Sequence, residues 1–137
     1  MVVMTGTYIR TEAENYEDFL SMLGVSFLLR KAAAWTMWTI PTMEITNNGN
    51  RWKIITKTIL KSVEMDFELG VPFGDISIDG HKYKTTITME GDNKLITDAV
   101  TTQKGKKSVK VIREFTDKGI EVQMICGDVV SKQFFKR

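Results

Sequence analysis

Hydrophobic and polar positions alternate through most of this chain. In KSVKVIREF, residues 107–115, Val109, Val111 and Phe115 fall on one side, and Ser108, Lys110 and Glu114 on the other, with Ile112 among them. A period of two over that length predicts a half-buried strand. Similar runs are RWKIITKT, VEMDFELG, HKYKTTITM, KLITDAV, IEVQMIC and VVSKQFF. Turn signals separate them: NNGN at 47–50, SIDG around 77–80, EGDN at 90–93, QKG at 103–105, TDKG at 116–119 and CGD at 126–128. Glycine beside Asn or Asp at such points fits tight hairpins. With GTYIRTE at 6–12 and the stretch 41–46, the count is about ten strands. Links after Pro41 are short, so neighbours are predicted to be antiparallel. So many antiparallel strands in so short a chain must close on themselves or form two packed sheets.

The period changes once, near the start. In NYEDFLSMLG, 15–24, Tyr16, Phe19, Leu20 and Leu23 make one helical apolar face. Asn15 with Asp18 three residues later resembles a capping box, and Gly24 is a plausible stop. SFLLRKAAAWT, 26–36, predicts a second helix, with Ser26 as cap and three alanines favouring it. A DNA-reading pair needs a basic recognition face, and this helix offers only Arg30 and Lys31. Two helices inserted after the first strand can instead cover the open end of a barrel.

The informative residue is Arg113, which shares the side of Val109, Val111 and Phe115. Two readings follow from alternation. A bulge or slip places the arginine at the rim, its stem packed and its head in water. Otherwise it points into a lumen, where a guanidinium must be paired or hydrated. Its fork of donors matches a carboxylate, so an inward arginine in an apolar chamber implies an acid head group on an apolar ligand. A barrel of ten strands is wide enough to hold one. The last strand offers two sets: Val129, Ser131, Gln133 and Phe135, or Val130, Lys132 and Phe134. Pattern alone does not choose between them.

Composition narrows the classes. The 137 residues suit one domain over 1–137, with 42% hydrophobic and 26% charged residues, as in ordinary globular chains. A net charge of +2 gives no warrant for a nucleic-acid partner. Cys126 is the single cysteine, so no internal disulfide or CxxC metal site is possible; it reads as a small buried hydrophobe. No apolar run approaches the length of a signal peptide or a membrane span. No GxSxG, HExxH or Walker motif occurs, and Ser131 has no histidine to activate it. His81, the one histidine, falls in a predicted turn. An enzyme is not expected, nor is a metal or cofactor. Trp52 is expected in the wall or on the outer face.

The chain resembles the intracellular lipid-binding family of fatty-acid-binding and cellular retinoid-binding proteins. The likeness runs through GTYIRTEAENYEDFLSMLGVSFLLRK, ITNNGNRWKI, VEMDFELGVPF, and the ending from REFTDKG through VVSKQFF. It implies an all-β fold: a ten-stranded antiparallel up-and-down β-barrel of two orthogonal sheets, capped by a helix–turn–helix lid, with a gap between the fourth and fifth strands. It also implies a cytoplasmic carrier of a long-chain fatty acid or other small hydrophobic acid, and a monomer is expected. The family's first carboxylate arginine matches Arg113. Its last-strand Arg-x-Tyr pair falls on Gln133 and Phe135, a departure that removes one charge and one hydroxyl. A fatty acid is the first expectation; a retinoid, or a membrane-interacting structural barrel, is the alternative. Phe19, Leu23, Phe27, Leu28 and Leu60 are assigned to the lid and portal, and Val111, Phe115 and Ser131 to the cavity. Arg30 and Lys31 are candidates for transient contact with anionic membrane.

Overall fold

The computed structural model describes residues 3–23, 41–57, 62–76, 82–101 and 107–137. Ten strands and one helix make up the described chain. In order they are β1 (Gly6–Glu14), α1 (Tyr16–Leu23), β2 (Thr42–Asn48), β3 (Arg51–Lys57), β4 (Ser62–Glu68), β5 (Phe73–Ile76), β6 (Lys82–Glu90), β7 (Lys94–Thr101), β8 (Val109–Phe115), β9 (Gly119–Cys126) and β10 (Val129–Lys136). The sheet order is β4-β3-β2-β1-β10-β9-β8-β7-β6-β5, with every pair antiparallel. Hairpin neighbours in sequence are therefore neighbours in space, and the first strand meets the last. The hydrogen-bonded ladder is continuous through all ten strands, so of the two arrangements that the pattern left open the sheet adopts closure on itself.

The sheet is nearly closed into a barrel. β4 and β5 are its two edges, which places the opening where the resemblance implied it. Near the β4–β5 turn the opening is bridged: Phe67 and Phe73 stack at 5.9 Å between ring centroids, and Gly70 N–H donates to the Ile87 carbonyl at 2.8 Å. The exposed face of β4 carries Glu64 and Glu68, and its neighbour β3 offers Lys53, 3.1 Å from Glu64. Charges on an edge discourage pairing with another chain.

Burial follows the period of two that the pattern predicted. Tyr8, Ile45, Ile54, Phe67, Ile87, Leu95, Phe115 and Ile120 are essentially inaccessible and pack together at one end of the barrel. The Tyr8 and Phe115 rings meet edge to face at 6.1 Å, so β1 and β8 touch across the interior there. Trp52, on wall strand β3, is 5% exposed and belongs to this inner cluster, which corrects the outer-face half of the expectation for it. In an antiparallel pair its partners Asn47 and Phe67 share its face, and Phe67 is buried.

The opposite end is covered by α1. Phe19 packs on Tyr83 and Cys126, with Tyr16, Met22 and Val129 around them. Asn15 precedes the helix with φ 60°, and its carbonyl accepts the Phe19 N–H at 3.0 Å. Its side-chain amide donates to the Val130 carbonyl at 3.4 Å. That is not the capping-box geometry suggested by the sequence, in which the cap residue has extended backbone. The second predicted helix, 26–36, lies outside the described residues with Phe27, Leu28, Arg30 and Lys31. So do Leu60, His81, the turns at 77–80 and 103–105, and the side chains of Leu20 and Leu23. Among the described residues the lid is one helix, and none is long and apolar enough to cross a membrane.

Candidate functional site

The site is set by the register of β7 to β10. Cα partners in antiparallel strands project to the same face. Leu95 pairs with Arg113, Arg113 with Val122, and Val122 with Gln133. Leu95 is 0% and Val122 4% exposed, so this row faces the interior and carries Arg113 and Gln133 with it. The next row toward α1 is Thr97, Val111, Met124 and Ser131. The row on the other side is Phe115, Ile120 and Phe135, all buried. The choice left open for the last strand is thereby made: Val129, Ser131, Gln133 and Phe135 face inward.

Arg113 is half-buried, and its Nη1 donates to Thr97 Oγ1 at 3.2 Å. The rim reading fails on this register, because the arginine stands between two buried aliphatic side chains. Val111, Arg113, Met124 and Gln133 each retain some accessible surface although they face inward on central strands. Those strands lie away from the β4 and β5 edges in the sheet order. By contrast Phe115 and Phe135 are buried in the packed end. Phe135 presents no polar atom from its side chain, whereas Gln133 carries an amide. Ser131 is fully buried, but its hydroxyl is committed: Oγ donates to the Glu14 carbonyl at 2.8 Å. Its role is to hold β10 against β1. Phe19, on α1 itself, is 5% exposed.

Two inward groups were missed in reading the sequence. Thr85 is 0% exposed and shares its row with Phe73 and Ala99. Its hydroxyl has no hydrogen-bond partner among the described residues. The other is Arg10, which pairs with Phe135 and is half-buried. Burial lowers its proton affinity from the ordinary arginine value, and the Tyr16 hydroxyl opposes that effect. The signal was available: Arg10 has the parity of Tyr8 in GTYIRTE. Burial also raises the Tyr16 and Cys126 pKa values, with Arg10 and Lys107 respectively opposing.

A groove of about 680 Å³ lies elsewhere, between α1 and the β9–β10 turn. Asn15, Asp18, Ser21, Met22, Lys107 and Asp128 help to line it. Neither Arg10 nor Arg113 is part of that lining. Its acids are on an open surface, and no group of three or more potential metal ligands occurs among the described residues.

Comparison with known proteins gives a consistent picture. The model of the lipocalin / cytosolic fatty-acid binding protein family matches residues 5–136. A fatty acid-binding protein of Tyrophagus putrescentiae is 39% identical over 137 residues, covering 100% of this chain and 99% of the relative. A solved structure of the REP1-NXSQ fatty acid transporter superposes with a TM-score of 0.85 at 32% identity, covering 97% of this chain and 94% of that one. Lipid binding protein 8 of Caenorhabditis elegans, solved in its apo form, gives a TM-score of 0.90 at 26% identity, covering 100% and 99%.

Proposed function

This chain belongs to the lipocalin / cytosolic fatty-acid binding protein family, and from that premise we propose that it is a non-enzymatic carrier of one long-chain fatty acid, held inside the barrel with its carboxylate at Arg113. The observation that supports this reading is the inward, half-buried guanidinium between Leu95 and Val122. A carboxylate takes two of its N–H groups side by side, and such charge-assisted bonds are the strong ones. The apolar chain supplies most of the affinity, about 0.8 kcal/mol per buried CH₂. The head group sets orientation and class.

The segment 26–36 completes the lid in this proposal, with Phe27, Leu28 and Leu60 at the entry. Arg30 and Lys31 would give a weak, salt-sensitive attraction to anionic membrane. The carrier works as a cytoplasmic monomer.

A second reading, retinoid binding, draws on Gln133. Its amide can donate to a neutral hydroxyl as well as to an acid, and Phe135 offers no charge to discriminate between them.

The test compares oleate with oleyl alcohol on the unmodified protein and on Arg113→Gln. A lost charge-assisted bond is worth about 1.5–3 kcal/mol. The variant should therefore bind oleate roughly 10- to 100-fold more weakly, and the alcohol within about threefold. Equal losses for both ligands would remove the carboxylate assignment. Competition by retinol and retinoic acid separates the second reading. Mass spectrometry of lipid extracted from denatured protein identifies what is carried.

A further inference from the structure

The Tyr8–Phe115 contact fixes how β1 and β8 face each other inside the barrel. The two rings are 6.1 Å apart between centroids, one from each strand. β1 is antiparallel to β10, β10 to β9, and β9 to β8, so β1 runs opposite to β8. The next inward residue toward the α1 end is therefore two positions after Tyr8 on β1, and two positions before Phe115 on β8. Those residues are Arg10 and Arg113. Each stands about 6.6 Å along its strand from the ring contact, given a rise of about 3.3 Å per residue. An extended arginine side chain is of similar reach, so the two guanidinium groups serve the same level of the chamber from strands three places apart in the sheet.

Several observations agree on where Arg10 points. Its Cα partner is Phe135, which is 3% exposed and inward. Its main-chain N–H donates to the Pro41 carbonyl at 3.0 Å, which secures the strand at this position. The bulge in β1 falls immediately after it, between Arg10 and Glu12, so the inward register is firm up to Arg10 and changes beyond it. Bulges commonly re-aim a side chain. Gln133 lies between the two arginines, in the row of Arg113 and on the strand that pairs with β1.

We propose that Arg10 is a second head-group residue, forming with Arg113 a two-guanidinium clamp inside the barrel that takes a single anionic carboxylate. A carboxylate placed between two guanidinium groups accepts from both and is attracted by both charges. The site therefore selects an ionised acid over its alcohol, ester or amide. Gln133 fills the space between the cations as a neutral donor. The lowered proton affinity of Arg10, caused by burial, is consistent with a charge held out of bulk water. This inference rests on the fatty-acid reading and deepens it.

The test uses Arg10→Met, which keeps the length and apolar stem, beside Arg113→Gln and the double variant. Oleate and oleyl alcohol are titrated on each, with thermal melts to check folding. Arg10→Met should weaken oleate about tenfold and the alcohol within about threefold. Unchanged oleate affinity in Arg10→Met, with the expected loss in Arg113→Gln, would overturn the clamp and leave the carrier reading intact. No preferential loss of oleate in any variant would overturn both. Equal losses of acid and alcohol in Arg10→Met would make Arg10 a packing residue. If Arg10→Met does not fold, Arg10→Lys and Arg10→Gln carry the same test. The lysine should keep the preference for acid and the glutamine lose it; a glutamine variant that keeps it overturns the proposal.

Discussion

Replacing Tyr8 by Phe should cost stability through one oxygen atom. Tyr8 is 0% exposed, and its hydroxyl both donates and accepts. It donates to the Met4 carbonyl at 2.8 Å and accepts from Arg137 Nη2 at 2.5 Å. The Arg137 guanidinium lies over the ring at 4.8 Å and also donates to the carbonyls of Thr5 and Val3. Phenylalanine keeps the ring, its contact with Phe115 and the cation above it. Only the two hydrogen bonds go, leaving a buried carbonyl without its donor. Arg137 is exposed, so water recovers part of its share. The net loss should be about 2 kcal/mol, or roughly 6 °C in Tm for a chain of this length. Scanning calorimetry on Tyr8→Phe, Arg137→Ala and the double variant measures it, with a coupling of about 1 kcal/mol expected. Burial holds the Tyr8 hydroxyl above its ordinary pKa, with Arg137 opposing. A raised folded-state pKa stabilises the fold below about pH 10 and is lost as pH rises through the folded value. The phenylalanine variant should thus show a shallower alkaline loss. A Tm unchanged within about 1 °C, or strictly additive variants, would refute the accounting.

Two further outcomes follow from the same inward packing. Gly119 has φ 153°, and a Cβ there would stand 2.1 Å from the Phe135 carbonyl oxygen, so Gly119→Ala should lose more than about 3 kcal/mol in urea unfolding; a midpoint near that of the parent would contradict the geometry. Cys126 is 0% exposed and burial pushes its thiol up, so the native protein should react with a thiol reagent at pH 8 at least ~100-fold more slowly than the urea-unfolded chain; comparable rates would place the thiol outside the core.

Much of this molecule was legible because a period of two is a local property. Val109, Val111, Arg113 and Phe115 share a parity whatever the chain does elsewhere, and glycine beside Asn or Asp marks the hairpins that set each register. The short strand β5 was not legible, since four residues, one of them Gly74, carry too little alternation. Nor was the inward set of β10, because Val129–Phe135 and Val130–Phe134 are comparably apolar. Pairing of Gln133 with Val122 decided it. Asn15 was read as a cap from its type, but its amide found the Val130 carbonyl, a partner 115 positions away that the sequence does not reveal.

By itself, then, the sequence determined which residues can share a face, and so placed an arginine among aliphatic neighbours. It could not determine which faces meet. Pairing of β1 with β10 brings β1 within ring contact of β8, and that sets Arg10 at the level of Arg113 and Arg137 over Tyr8. The physical reason is range: alternation is fixed by the geometry of neighbouring peptides, whereas contacts across a chamber exist only once ten strands have bent around it.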